Sequence, residues 1–187
     1  ALYEFVSYNA GYSKLMGTIN TVNSDAVVAV LGNYNRFDIA YEIAIDEMVF
    51  TLADVFNAAG FEAKAYAANV AKFEDAEATV AAVVKDFGKV DILVNNAALW
   101  RDRASFVDSD VNLWKKYFDI NVLGTVYVTK AVLPGMLERE WGRVINVASV
   151  AGVYGNANMS FYSSTKGALI SLTKALAKEV CEKGVLV

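Results

Sequence analysis

The sequence contains no histidine in its 187 residues and only one cysteine, Cys181. No disulfide can therefore form within the chain, and a zinc site built from the usual His and Cys ligands is excluded. Hydrolases that use an imidazole as a base or as a metal ligand are excluded for the same reason. Any proton transfer must use Tyr, Lys, Asp or Glu, and we expect no metal site.

Positive charge and long apolar runs are also scarce. The formal net charge is -4, which argues against a nucleic-acid partner, because binding to a phosphate backbone needs clustered Lys and Arg. The longest unbroken apolar run, residues 26–31, is far shorter than the roughly 18 residues needed to cross a bilayer. No basic segment followed by an apolar stretch opens the sequence. We therefore expect a cytoplasmic protein without a membrane partner.

The composition instead indicates a well-filled core, since 56% of the residues are hydrophobic and 20% are charged. From residue 61 onward, strand-like apolar runs alternate with segments of helical period, the pattern of βαβ units with a parallel sheet. No linker or repeat divides the chain, so residues 1–187 are predicted to be one α/β domain. The predicted strands are 2–6, 26–31, 61–67, 90–94, 143–147 and 185–187, and the predicted helices are 14–22, 41–59, 74–86, a long helix capped by Asp108 or Ser109, and 161–182 with Gly184 just beyond its end.

Tyr162 and Lys166 lie four residues apart on a predicted helix, so that their side chains share one face. A nearby ammonium favours the phenolate, which would lower the pKa of the tyrosine from about 10 towards neutrality and make it a usable general acid or base. The pair alone is better explained as a solvated helix face. Neighbouring polar residues instead favour a functional site. Ser149 and the segment 95–98 end two predicted strands, and doubly wound sheets bind ligands at such strand ends.

Five sequence segments together resemble the short-chain dehydrogenase/reductase family, and in their spacing most of all its 3-oxoacyl-thioester reductase branch. The resemblance covers roughly residues 61–187 and implies a doubly wound parallel sheet of Rossmann-like topology in three αβα layers. It also implies an NAD(P)-dependent alcohol dehydrogenase or carbonyl reductase that is a homodimer or homotetramer. The segments are NNAA at 95–98, IN at 120–121, INVAS at 145–149, YSSTK at 162–166 and the helix ALISLTKALA that follows.

The same resemblance implies a role for each of four residues. Tyr162 would exchange a proton with the substrate oxygen while the nicotinamide exchanges a hydride, and Ser149 would hydrogen-bond that oxygen. Lys166 would assist Tyr162 and hold the nicotinamide ribose. Asn121 would hold a water molecule that relays protons to Lys166. Two alternatives stay open: Ser149 as a turn residue, and Asn121 as a buried, satisfied amide in a helix interior that disfavours Asn.

Further residues are candidates for contacts with the cofactor. The turn with Asn95, Ala97 and Ala98 would pass beside the adenosine side, although an ordinary βα turn is the alternative. Asn69 and Val70 would contact adenine, where the family usually has Asp-Val. A plain polar loop is the alternative for that pair.

The amino-terminal half matches the family less well. Where the family has a TGxxxGxG motif for the pyrophosphate, residues 6–13 retain only Gly11. Arg36, beyond the second predicted strand, favours NADP over NAD, because an arginine there can hold the additional phosphate. An exposed arginine on a loop needs no such function.

The carboxyl-terminal end also differs from the family pattern. Family members continue for some 60 residues beyond Val187 with a substrate lid and a last strand, so we expect the 187 residues to be an incomplete record. Two other functions remain open. One is a non-catalytic relative that acts as a binding or oligomerisation module, and the other is an epimerase or dehydratase with the same Tyr-Lys pair.

Overall fold

Six parallel strands form one sheet in the order β3-β2-β1-β4-β5-β6. The computed structural model describes residues 2–4, 27–33, 53–54, 56–58, 60 and 62–187. The strands are β1 Leu2–Glu4, β2 Val27–Asn33, β3 Glu62–Ala68, β4 Ile92–Asn95, β5 Gly142–Asn146 and β6 Val185–Leu186. The helices are α1 Phe73–Phe87, α2 Val111–Phe118, α3 Gly124–Glu138, α4 Ala151–Tyr154 and α5 Ser160–Val180.

The strand order reverses direction between β1 and β4. The chain moves outward from β1 to β3 on one side, returns to the centre at β4 and moves outward again to β6. Right-handed connections between parallel strands then place α1, α3 and α5 on the same face of the sheet. The crevice between β1 and β4, at the carboxyl ends of the strands, is the topological switch point where such sheets bind nucleotides.

The core fills the space between the sheet and this helical layer. Leu93 of β4, Val83 of α1 and Met136 of α3 are fully buried. Burying a side chain of this size stabilises the fold by roughly 1.5–3 kcal/mol. On the amino-terminal side, the side chain of Asn57 donates to the Ala63 carbonyl oxygen and accepts from the Ala63 amide at 3.0 and 2.8 Å, tying a described helical turn to β3.

The predicted cap of the long helix was wrong by one or two residues. Asp110 is the N-cap, and its carboxylate accepts a hydrogen bond from the Asn112 amide at 2.8 Å. Asp108 is unavailable because its carboxylate accepts from the Ser105 hydroxyl at 2.5 Å, and the Ser109 hydroxyl donates to a carbonyl oxygen of the same loop at 2.8 Å. Several short polar residues compete for the cap in this segment, and the local hydrogen bonds decide between them.

Helices α2 and α3 form one continuous helix, Val111–Glu138, with a π-helical turn at Asp119–Leu123. It is the one helix in the described part of the chain that is long and apolar enough to cross a membrane by length and composition, with a mean hydropathy of 1.3 in its most apolar 18-residue window. In that window 44% of the residues are buried inside the protein. Apolar core helices of layered α/β folds have the same composition.

The other described boundaries lie within about two residues of the prediction. Helix α5 ends at Val180 instead of residue 182, because residues 181–183 tighten into a 3-10 turn. Gly184 has a φ of +75° and follows that turn as predicted. A Cβ at Gly184 would lie 1.8 Å from the Glu140 carbonyl oxygen, so steric overlap also excludes any side chain at this position. The predicted helix 14–22 and most of the predicted helix 41–59 lie outside the described residues.

Candidate active site

Three segments bring the predicted catalytic residues to the carboxyl edge of the sheet. Ser149 follows the end of β5, Tyr162 and Lys166 occupy the first turns of α5, and Asn121 lies in the π-helical turn. Ser149 thus lies at the carboxyl end of β5, which pairs with β4 at one border of the switch point. Helix α5 then places a phenol and an ammonium at the same edge.

Tyr162 and Lys166 do share one face of α5. The Lys166 ammonium nitrogen lies 5.9 Å from the centroid of the Tyr162 ring, the distance of a cation–π contact. The same ammonium donates a hydrogen bond of 2.6 Å to the Val147 carbonyl oxygen, just beyond β5. Because Lys166 is only 3% exposed, loss of hydration lowers its pKa from 10.5 to about 8. The site therefore contains a buried cation held close to a tyrosine.

Ser149 is positioned by the short helix α4. Its hydroxyl oxygen accepts a hydrogen bond from the Ala151 amide at 3.2 Å, at the start of that helix. Helix α4 packs directly on α5 at Gly152, where a Cβ would lie 2.5 Å from the Lys166 carbonyl carbon. Real Cβ atoms do not approach a backbone atom so closely, so the absence of a side chain at Gly152 seats the Ser149 segment against the turn that contains Lys166. No sequence motif marks Gly152, because its role depends on how two separate helices pack.

Asn121 is fully buried and holds the loop that follows β4. Its side-chain oxygen accepts from the Leu99 amide at 2.7 Å, and its side-chain nitrogen donates to the Leu99 carbonyl oxygen at 3.0 Å and to the Thr165 hydroxyl at 3.1 Å. These bonds explain why a residue that disfavours helices is found inside one. The predicted water relay through Asn121 stays a prediction.

The Asn95 side chain links strands and helices behind the site. Its amide nitrogen donates to the Thr129 hydroxyl and to the Asn146 side-chain oxygen, both at 2.9 Å, and Asn146 donates in turn to the Thr173 hydroxyl at 2.9 Å. Both N–H groups of Asn95 are therefore used within the protein. A contact of this turn with a cofactor stays a prediction. Ala97 is half-buried and packs against the core.

Asn69 and Val70 form the turn between β3 and α1. The Asn69 side-chain oxygen accepts from the Ala71 amide at 3.0 Å, which fixes the turn. Val70 is 3% exposed and packs on α3, where a Cβ at Gly124 would lie 2.9 Å from a Val70 methyl carbon. The predicted adenine contact therefore depends on Asn69 or on the backbone, and it stays a prediction.

Two of the predicted cofactor residues, Gly11 and Arg36, lie outside the described residues. The predicted pyrophosphate loop around Gly11 and the NADP preference assigned to Arg36 therefore stay predictions. Within the described ranges, no group of three or more His, Cys, Asp or Glu side chains is arranged to hold a metal ion.

A buried tyrosine that no motif indicated supports the site from behind. Tyr117 is 0% exposed, and its ring meets that of Phe161, the neighbour of Tyr162, at a centroid distance of 4.6 Å. Its hydroxyl donates to the Asp102 carboxylate at 2.9 Å and accepts from the Asp102 amide at 3.1 Å. Burial raises the pKa of Tyr117 well above its usual value, so this phenol stays neutral and fixes the loop above the site.

Comparison with known proteins identifies relatives of this chain. A family model described as short chain dehydrogenase matches residues 25–187. A 3-oxoacyl-[acyl-carrier-protein] reductase of Synechocystis sp. is 33% identical over 100% of this chain and 72% of its own length. Nodulation protein G of Azospirillum brasilense is 44% identical over 70% of this chain and 52% of its own length. The crystal structure of an NAD+-bound xylitol dehydrogenase superposes with a TM-score of 0.76 at 34% identity, over 85% of this chain and 57% of that one.

The chain belongs to the short-chain dehydrogenase family. Its parallel sheet with a central switch point, together with these structural neighbours, confirms the predicted three-layer αβα fold of Rossmann-like topology. The chain spans about half the length of several of the curated relatives that it matches.

The described residues fit a nicotinamide dinucleotide at the switch point. The Lys166 ammonium has three N–H donors, and the hydrogen bond to Val147 uses one of them. Its two further donors are suited to the hydroxyl groups of a ribose. The half-buried Tyr162 and Ser149 lie at the same edge, where a carbonyl group beside the nicotinamide would meet them.

Proposed function

We propose that this protein is an NAD(P)-dependent oxidoreductase that interconverts a ketone and a secondary alcohol. The observation that carries the proposal is the buried Lys166 ammonium, 5.9 Å from the Tyr162 ring at the carboxyl edge of a doubly wound sheet. Membership of the short-chain dehydrogenase family supports the same activity.

The protein groups supply proton transfer and polarisation in this reaction. The Tyr162 hydroxyl gives a proton to the substrate oxygen during reduction and takes one back during alcohol oxidation. The Ser149 hydroxyl hydrogen-bonds the same oxygen and stabilises the negative charge that develops there. The Lys166 ammonium holds the ribose and places a positive charge beside the Tyr162 ring. The nicotinamide, when bound, supplies or accepts the hydride.

The Tyr162→Phe variant tests this assignment. It removes only the proton donor, so we expect the fold and cofactor affinity to persist while kcat for carbonyl reduction falls by roughly 10²-fold or more. Tyr127→Phe is the matched control, because Tyr127 lies on α3 outside the candidate site. There the centroid of its ring is 5.5 Å from that of Phe73. Turnover in Tyr162→Phe equal to that of the control would remove Tyr162 from the chemistry.

A 3-oxoacyl thioester is the substrate class that we propose. The relatives from Synechocystis sp. and Vibrio cholerae are both named 3-oxoacyl-[acyl-carrier-protein] reductases, at 33% and 40% identity. Other relatives carry different names, among them the xylitol dehydrogenase. Acetoacetyl-coenzyme A with NADPH and xylitol with NAD+ separate the two possibilities in one spectrophotometric assay. Turnover of xylitol alone would contradict the thioester assignment.

NADP is the cofactor that we propose on the basis of Arg36. Strand β2 ends at Asn33, so Arg36 follows the strand end where doubly wound proteins select the ribose substituent. Fluorescence titration should give tighter binding of NADPH than of NADH, and Arg36→Asp should reverse that order. Tighter binding of NADH by the unaltered protein would assign NAD instead, as in the NAD+-bound xylitol dehydrogenase.

A non-catalytic binding module is the second candidate function. The observation that favours it is the amino-terminal segment 6–13, which retains only Gly11 of the glycines of the family motif. A module of this kind would bind neither NADPH nor NADH in the same titration.

We also propose a homodimer or homotetramer formed through the helices around 110–133 and 161–182, which light scattering would test. A stable monomer would contradict that assembly.

A further inference from the structure

Thr165 is a completely buried polar residue between Tyr162 and Lys166 that has no role in the proposed chemistry. Its hydroxyl donates a hydrogen bond of 2.7 Å to the backbone carbonyl oxygen of Tyr162. The same hydroxyl oxygen accepts a hydrogen bond of 3.1 Å from the side-chain nitrogen of Asn121. Both partners are therefore parts of the candidate active site.

These bonds form a chain across three separate elements. Asn121 also bonds the amide and the carbonyl oxygen of Leu99 at 2.7 and 3.0 Å. The hydrogen bonds thus run from the loop after β4, through the π-helical turn, to the first turns of α5. Thr165 is the member that connects the side chain of Asn121 to the backbone of Tyr162. Its hydroxyl is a donor on one side and an acceptor on the other, which Val or Ala cannot reproduce.

We propose that Thr165 is a positioning residue that fixes Tyr162 for proton transfer. Its hydroxyl holds the peptide of Tyr162 against the π-helical turn, so that the phenol is aligned with a substrate oxygen. Without the hydroxyl, the Asn121 amide loses a buried acceptor, and the peptide of Tyr162 loses one of its donors. The turn of α5 that contains Tyr162 is then no longer tied to Leu99. Misalignment of a reacting group by about 1 Å can cost roughly 10²-fold in rate.

Thr173 offers a matched control on the same helix. Its hydroxyl donates to the Leu169 carbonyl oxygen at 2.8 Å and accepts from the Asn146 side-chain nitrogen at 2.9 Å. The hydrogen-bond pattern thus repeats that of Thr165, two turns farther from Tyr162. Thr173 has no hydrogen bond to Tyr162, so positioning of Tyr162 belongs to Thr165 alone.

Steady-state kinetics with acetoacetyl-coenzyme A and NADPH test the inference, which in this assay rests on the proposed function. Thr165→Val should lower kcat at least about tenfold while KM changes by less than about threefold, because alignment and not binding is lost. Thr165→Ser should retain kcat within about threefold, and so should Thr173→Val. A kcat in Thr165→Val that falls no further than in Thr173→Val would overturn the proposal, as would an equal loss in Thr165→Ser. If Thr165→Val does not fold, Thr165→Ala takes its place under the same criteria.

A spectroscopic measurement separates failure of this inference from failure of the proposed function. With ζ-13C-labelled tyrosine, the resonance of Tyr162 is assigned by its disappearance in Tyr162→Phe. Thr165→Val should shift that resonance, and Thr173→Val should leave it in place. An inactive unaltered protein in which Thr165→Val alone shifts the resonance would reject the substrate and keep the positioning role. An unshifted resonance in Thr165→Val rejects the positioning role whatever the activity.

Discussion

Replacing Lys166 by methionine should stabilise the folded protein at neutral pH. The pKa of Lys166 falls from 10.5 to about 8 on folding, because its ammonium is buried. That difference corresponds to about 3 kcal/mol of stability lost when the charged form is buried. The Val147 carbonyl oxygen loses its donor in the variant, at a cost of about 1 kcal/mol. Lys166→Met should therefore raise the free energy of unfolding by about 2 kcal/mol.

The pH dependence of this effect follows from the two pKa values. Below pH 8, Lys166 is charged in both the folded and the unfolded state, and the full cost of burial is present. Between pH 8 and 10.5 the folded state releases its proton first, so the cost decreases as the pH rises. Above 10.5 both states are neutral and the cost is absent. The stability advantage of Lys166→Met should thus be largest below pH 8 and shrink towards pH 10.5.

Urea denaturation of both proteins between pH 7 and pH 10.5 measures this difference. For a chain of this size, about 2 kcal/mol should also raise Tm by roughly 4–8 °C. Lys174→Met is the control, because Lys174 is exposed on the same helix and should change stability by less than about 0.5 kcal/mol. Lys166→Met should be inactive in spite of its stability. A variant less stable than the unaltered protein at pH 7, or a difference that does not change with pH, would refute the reasoning.

Two further predictions concern residues that support the site. Gly152→Ala should lower the free energy of unfolding by about 3 kcal/mol or more and abolish activity, because its Cβ would lie 2.5 Å from the Lys166 backbone. In the control Gly135→Ala, the Cβ meets only the flexible end of Arg139 at 3.2 Å, so thermal denaturation should show a neutral or stabilising effect. Tyr117→Phe should cost about 1–2 kcal/mol through its lost hydrogen bonds to Asp102, and hydrogen exchange of the loop at residues 99–105 should accelerate; unchanged exchange would exclude a role for this phenol in fixing the loop.

Much of the fold could be predicted from local sequence pattern. The alternation of strands and helices after residue 61 depends on periods of about two and 3.6 residues, which are properties of the backbone and not of distant contacts. The spacing of Tyr162 and Lys166 fixed their shared face of α5 for the same reason. The cap of α2 could not be chosen in this way, because Asp108, Ser109 and Asp110 are equally suited until their other hydrogen bonds are known.

The hydrogen-bond partners of the buried polar side chains could be identified only from the tertiary structure. Asn121 bonds Leu99, 22 positions away, and Thr165, 44 positions away, and no local period encodes such pairs. The Asn95 side-chain nitrogen likewise donates to Thr129, 34 positions away, and to Asn146, 51 positions away. A buried polar group must find partners wherever the fold provides them, so its neighbours depend on how the elements pack.

The sequence by itself therefore determined the layered α/β architecture, the family and the phenol and ammonium that share one helix face, because each depends on short spacings along the chain. The packing of the elements decided how those groups are held. It placed Gly152 against the backbone of Lys166, buried the ammonium deeply enough to lower its pKa to about 8, and connected Thr165 to Asn121. These features depend on distances between separate elements, which are fixed only when helix α5 packs against its neighbours.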